Sequence, residues 1–354
     1  MSVAMPQYRC LDINDPQVVQ LCDQHATLFE QSYAWLSATK EFLQANNDEL
    51  KLHALVDDDS QHVLLLWPLV HRKVSNTQHI SSVTSCYSTN VLPYYVSQSN
   101  NAALTKQLLC EVNQRYQWDE MRIGPFDCRR VNDALLALDK PQKDYSVIGH
   151  WFVDQLSHFN EYLEQRPSQL RNTLKRKAKK LYQAHEVNIV FANKLAEFEV
   201  LFSDYQQIYR DSWKGEEASY QFIEQVCQAA FAHDKLRFAV MYVDNKAVAA
   251  QIWFIQHSTA SIFKLAYDPE FSHYSVGSIL SEAMCEQVIE HDKCHTIEFG
   301  CGNEQYKRAW MSKYHERRIV QLFNNETTVG KILILKQIYL ARLKRLFKKL
   351  LRIQ

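Results

Sequence analysis

Leu170, Leu174, Ala178 and Leu181 recur at helical spacing, with Arg171, Lys175, Arg176, Lys179 and Lys180 on the other faces, just after Pro167 and Ser168. Such a pattern predicts a basic amphipathic helix with a defined start. The β-branched and aromatic run at 187–192 predicts a short strand, and two helical patterns follow over roughly 195–213 and 219–233. Then comes a meander. Residues 237–243 are strand-like, Asp244-Asn245 makes a turn, 246–256 alternates into a second strand, and a third ends at Tyr267. Beyond Asp268-Pro269 and a polar loop, Leu280, Met284 and Val288 share one stripe of a helix that opens near Gly277. Residues 295–299 and 317–323 read as strands flanking a short helix over 303–312. The predicted order is βααβββαβαβ, which packs as a mixed α/β sheet.

The first half repeats part of that order. Helical patterns cover 17–46, strands are expected at 51–56 and 62–70 around the turn Asp57-Asp58-Asp59-Ser60, and a third at 78–86. A helix over 101–116, a strand at 120–123, a helix over 131–138 and a strand at 145–153 complete it. The chain is therefore expected to be an α/β protein built as a degenerate structural duplication, with domains at 1–165 and 166–328 and a C-terminal helix over 329–354.

Composition narrows the class. The 354 residues include only seven glycines, which excludes collagen-like and Gly-rich low-complexity chains. At 46% hydrophobic the chain can bury a large core. Its net charge of zero is sorted along the chain: 13 basic and 20 acidic side chains in residues 1–170 give −7, while residues 331–354 hold eight basic and no acidic ones. The nine cysteines contain no Cys-x-x-Cys and read as reduced packing thiols. No apolar run reaches the roughly 18–20 residues of a membrane span, and the first residues lack the pattern of a secretory signal. A cytoplasmic protein is expected, with a peripheral place at the inner membrane face as the further option.

Candidate chemistry concentrates between 265 and 310. A strand ending in Tyr267-Asp268-Pro269, a polar loop and a helix opening at Val276-Gly277-Ser278 presents free backbone N–H groups and the positive end of a helix dipole, which suits a phosphate. Gly277 lets the backbone approach closely, and His273 and Ser278 add donors. Three of the seven glycines, Gly277, Gly300 and Gly302, fall here. His291 and His295 stand four apart, but no carboxylate completes a metal motif, so no metal is expected.

The segments YDPEFSHYSVGSIL and IEFGCGNEQYKRAW, together with the basic helix RNTLKRKAKKL, resemble the GNAT acyltransferase superfamily, and within it the branch of CelD-like acetyltransferases and Fem-like aminoacyltransferases. The resemblance covers about residues 165–323 and implies two tandem GNAT-like mixed-sheet domains, the second holding the donor site. It implies an N-acyltransferase that uses acyl-CoA, acetyl-CoA above all, as cosubstrate with no tightly bound cofactor, and acylates an amine on a cell-envelope or exopolysaccharide precursor. Tyr267, Asp268, His273, Val276, Gly277 and Ser278 take the donor-binding positions, Glu298 that of the base, Tyr306 that of the leaving-group acid, and Glu304 and Lys307 substrate-binding positions. If His273 takes the family's Arg/Gln place, the two glycine places fall on Val276 and Ser278. Fem-like relatives take their acyl group from aminoacyl-tRNA, so tRNA is an alternative donor, with the basic helix along its phosphates. A third reading is a non-catalytic adaptor that docks on a membrane or partner through residues 331–354, whose stripe Ile332, Leu335, Tyr339, Leu343, Leu346 and Leu350 is ringed by basic side chains.

Overall fold

The computed structural model describes residues 6–96, 101–302, 304–340 and 343. Its elements run β1 (Gln7–Leu11), α1 (Pro16–His25), α2 (Tyr33–Phe42), β2 (Asp48–Val56), β3 (Val63–Val74), β4 (Thr77–Ser82), β5 (Tyr94–Tyr95), α3 (Asn101–Arg115), β6 (Glu120–Phe126), α4 (Arg129–Leu136) and β7 (Gln142–Val153). They continue as α5 (Phe159–Glu164), α6 (Ser168–Ala184), β8 (Val187–Phe191), α7 (Leu195–Asp211), α8 (Tyr220–Ala232), β9 (Leu236–Val243), β10 (Lys246–Gln256) and β11 (Thr259–Tyr267). Last come α9 (Val276–Glu286), β12 (Thr296–Cys301), α10 (Gln305–Trp310), β13 (Lys313–Phe323) and α11 (Thr328–Ile334). From β8 to β13 this is the predicted βααβββαβαβ order.

The chain forms two compact units, one of residues 1–26, 44–147 and 316–354, the other of 27–43 and 148–315. It passes from one to the other inside β7 and β13 rather than through a linker, which is why composition marks no break there. In the first unit the strands pair in the order β1-β2-β3-β4-β6-β13, with β5 on β3. The core gathers Trp67, Leu108, Trp118, Met121 and Phe126.

In the second unit the order is β7-β12-β11-β10-β9-β8. Core residues of α9, including Ile279, Leu280 and Met284, join Trp253, Ile297, Phe299 and Trp310 on one face of that sheet. Residues 27–43 belong to this unit because their aromatic side chains pack there: Phe29 stacks on Phe254 at 4.4 Å, and Trp35 meets Phe222 edge-on at 5.0 Å and Phe263 at 5.2 Å. Helix α9 is fixed to β10 by a buried amide. Gln251 donates to the Gly277 carbonyl at 3.0 Å and to Ser281 Oγ at 2.8 Å, and accepts from Trp253 Nε1 at 2.8 Å.

One feature of the sheet positions the site. β11 and β12 are parallel neighbours for only three pairs, Thr259–Thr296, Ala260–Ile297 and Ser261–Glu298. Beyond them β11 runs on to Tyr267 and β12 to Cys301 without pairing, so the two strands part and leave backbone groups on their facing edges free of the ladder.

Candidate active site at the parting of two strands

At the end of β11, Asp268 Oδ1 accepts from the Glu270 N–H at 2.9 Å, and a tight turn over Pro269–Tyr274 carries the chain to Ser275. Ser275 adopts a left-handed conformation (φ 59°, ψ 40°), and its carbonyl accepts from Ser278 at 2.9 Å and Ile279 at 3.1 Å. The N–H groups of Val276 and Gly277 therefore lie ahead of the first intrahelical bond of α9, aimed out of the helix with its positive end. Gly277 is needed for a packing reason as well: a Cβ there would stand 2.9 Å from Tyr267 Cδ1.

These groups open onto a cavity of about 240 Å³, lined by Trp213, Leu265, Tyr267, Val276, Gly277, Ser278, Tyr306 and Trp310 among others. The structure thus brings together five residues marked by the sequence: Tyr267, Val276, Gly277, Ser278 and Tyr306. The Tyr306 phenol is pushed up to about 12, chiefly by burial of the hydroxyl and further by the Glu304 carboxylate, so it stays protonated across the neutral range.

The other marked residues stand elsewhere. The Asp268 N–H is donated to the Val248 carbonyl at 2.8 Å and its carboxylate pairs with Lys246 at 2.7 Å, so Asp268 shapes the turn and offers no free donor. Because backbone groups alternate along a strand, the Tyr267 N–H faces away from β10, toward the parting. His273 lies exposed outside the cavity, its Nδ1 2.9 Å from the Glu270 carbonyl and its ring against Tyr274 at 4.0 Å. Lys307 is 5% exposed; its ammonium donates to the Cys301 carbonyl and pairs with Glu304 at 3.1 Å. This clasp accounts for Gly302, which sits at φ 138° where a Cβ would strike both Glu304 Oε2 and Lys307 Nζ. Glu298 closes the β11–β12 ladder, and alternation along β12 turns its side chain to the face opposite Ile297 and Phe299. There Oε1 lies 3.1 Å from Nε2 of His150.

Sequence reasoning missed Trp213 and Lys214, which sit in the α7–α8 connection. The Trp213 ring packs against Tyr267 at 4.4 Å, tilted by 48°, and closes one side of the cavity. The Lys214 residue is exposed as a whole, yet its ammonium sits 5.8 Å over both the Tyr209 and Trp213 rings, and poor hydration followed by the charge of Lys264 lowers it to about 8. Lys264 itself pairs with Glu217 at 2.6 Å, in reach of the Tyr205 hydroxyl. In sequence Ser-Trp-Lys-Gly-Glu-Glu reads as an ordinary loop; nothing local ties it to a strand end far down the chain. Among the described residues no group of His, Cys, Asp and Glu could hold a metal ion, and His295 instead has its Nδ1 3.1 Å from the Leu156 carbonyl.

A strand end that has parted from its neighbour beside a helix N-terminus, with an aromatic cavity between strand and helix, can hold an anion at one end and a reacting carbonyl at the other. Residues 168–308 match the model of the acetyltransferase (GNAT) domain. Over those residues, fewer than half of the 354, the chain is similar to acyltransferases of the GNAT superfamily. Its fold is that of the Fem-like branch: the crystal structure of FemX superposes over 94% of this chain and 99% of that one, at 11% identity and a TM-score of 0.63. A tandem GNAT protein from the clavulanic acid biosynthesis pathway covers 89% of this chain and 98% of its own, at 11% identity and a TM-score of 0.50. L-PGS from Bacillus licheniformis matches over 86% and 95% with the same identity and TM-score. At these identities the structural likeness is one of fold. No curated protein matches the sequence, and no helix among the described residues is long and apolar enough to cross a membrane.

Proposed function

We propose that the protein is an N-acyltransferase that moves an acyl group, acetyl in the simplest case, from acyl-CoA to an amine on a cell-envelope or exopolysaccharide precursor. The observation that carries this reading is the cavity between the end of β11 and the start of α9, with two unused N–H groups at its rim. The pyrophosphate of the donor meets the N–H groups of Val276 and Gly277 and the Ser278 hydroxyl. At about 240 Å³ the cavity is smaller than the roughly 300–1,000 Å³ of sites that enclose a drug-sized ligand. It suits the thioester end of the donor, with the nucleotide outside.

The thioester carbonyl then lies at the parting, where the Tyr267 N–H accommodates the charge that develops on oxygen; one such donor is worth about 2.7–4 kcal/mol of barrier in known cases. Glu298 accepts the proton of the attacking amine from the opposite face of the sheet, and the Tyr306 phenol supplies one to the departing thiolate. Glu304 and Lys307 hold the acceptor side of the loop in shape. Thiol release from acetyl-CoA in the presence of a panel of amino sugars tests these roles: Glu298→Gln and Tyr306→Phe each lower turnover at least tenfold, and wild-type rates in both variants contradict the assignment.

The basic face of α6 favours a second reading, transfer from aminoacyl-tRNA. Arg171, Lys175, Arg176, Lys179 and Lys180 are exposed, the helix contains no acidic residue, and Lys177 donates to the His273 carbonyl in the turn that leads to the site. On this reading tRNA binding falls steeply with salt, as phosphate contacts require; absent or salt-insensitive binding removes it.

A further inference from the structure

The second unit buries an imidazole whose nitrogens lack hydrogen-bond partners among the described residues. His150, on β7, is 2% exposed, and neither Nδ1 nor Nε2 makes a hydrogen bond to any described residue. Leaving a buried polar group unpaired costs about 1–3 kcal/mol, so the fold holds this ring in place against a penalty. Its plane is fixed by a stack: His150 lies on Phe152 at 5.9 Å and 20°, and Phe152 on His315 at 4.9 Å and 18°. The carboxylate in reach is that of Glu298. Oε1 stands 3.1 Å from Nε2, the distance of an ion pair, but off the line a hydrogen bond needs.

The approach is built into the strand. Glu298 is the register partner of Phe152 and Cys301 that of His150, so β12 carries one residue more than β7 between the two pairs. Such a bulge re-aims a side chain. The Glu298 side chain keeps 15% exposure against 3% for that of His150. The remaining titratable and charged groups around this spot are Cys301 on β12 and, across the Phe152 ring, Lys313 and His315 from β13.

We propose that His150 is the positioning residue for Glu298, holding Oε1 so that Oε2 is left for an amine at the parting of β11 and β12. This rests on the reading of Glu298 as the base. In the transfer the amine nitrogen bonds to the thioester carbon, the C–S bond breaks, the amine proton passes to Glu298, and the thiolate takes a proton from Tyr306. The proton on Glu298 then returns through solvent to the Tyr306 phenolate. While Glu298 carries the proton it sits on Oε2, the oxygen that faced the amine, and Oε1 stays beside Nε2 of His150.

Two measurements on the full chain test this. In long-range ¹⁵N imidazole spectra, which need no substrate, Glu298→Gln shifts the ring nitrogens of His150; unchanged shifts overturn the pairing. In turnover of acetyl-CoA with amino sugars, His150→Phe lowers kcat about tenfold with the KM for acetyl-CoA unchanged. His150→Gln, whose amide N–H can donate to Oε1, recovers part of the rate. A His150→Phe protein with the wild-type kcat overturns the proposal while leaving Glu298 as base, whereas wild-type turnover in Glu298→Gln removes the base itself.

Discussion

Two residues of the first unit carry a consequence for its stability. His53 is fully buried, with Nδ1 2.8 Å from the Tyr8 hydroxyl and Nε2 2.9 Å from Nε2 of His71. Burial, and then the charge of His71, depresses His53 from 6.5 to about 3; burial likewise lowers His71 to about 4. Two facing nitrogens share one proton between them, and adding another places charge where water cannot reach it. The unfolded chain takes up these protons near pH 6.5 and the folded chain only near 3–4. Stability is therefore complete above about pH 6.5 and lost as pH falls toward 4, by at most about 1.4 kcal/mol per pH unit for each imidazole. Urea unfolding between pH 7 and 4 checks this: the midpoint falls in the wild type and falls less in His71→Gln.

At the scale of elements, α10 depends on a clamp from outside it. Arg166, 5% exposed, donates from Nη1 to the Trp310 carbonyl at 2.8 Å and from Nε to the Tyr162 carbonyl at 3.2 Å, while the Tyr162 hydroxyl donates to the same Trp310 carbonyl at 3.0 Å. That carbonyl ends a six-residue helix and has no helical partner of its own. Arg166→Met leaves it half satisfied in the core. The expected loss is about 2–4 kcal/mol in chemical denaturation, with weaker donor binding because Tyr306 rides on the same helix.

Much of this level was legible in the sequence. The helices α6, α7 and α8 and the meander β9–β11 follow from hydrophobic period and turn residues, and the Gly277 opening of α9 from its place after Asp268-Pro269. What could not be read is long-range. β1, β5 and α5 are short or weakly patterned, and the transfer of residues 27–43 to the second unit depends on rings of Phe222, Phe254 and Phe263 far along the chain. The same holds at the site. Tyr267, Val276, Gly277, Ser278 and Tyr306 lie in or beside one motif, whereas Trp213, Lys214 and His150 reach the site only through the fold. Asp268 and His273 were marked by position in the motif, and their hydrogen bonds direct them elsewhere.

For the molecule as a whole, two features are open to its surroundings, the C-terminal stretch and the cavity at the start of α9. Within residues 328–340, Ile332, Leu335 and Tyr339 are 46%, 55% and 56% exposed, an apolar stripe facing outward. The residues from 344 on, Leu346 and Leu350 among them, lie outside the described structure. An exposed stripe in a segment with eight basic and no acidic side chains suits an anionic bilayer surface. Cosedimentation with phosphatidylglycerol vesicles is expected, weakening as salt rises and absent after removal of residues 331–354; retention by neutral phosphatidylcholine vesicles would contradict it. The central claim concerns the other feature, that the start of α9 holds the pyrophosphate of an acyl-CoA. Calorimetric titration of acetyl-CoA into the full chain tests it most directly. Saturable one-to-one binding that disappears in Gly277→Asp, where a carboxylate would press on Tyr267 and repel the phosphates, is the predicted result. Binding of equal strength in a folded Gly277→Asp protein, or none in the wild type, would contradict it.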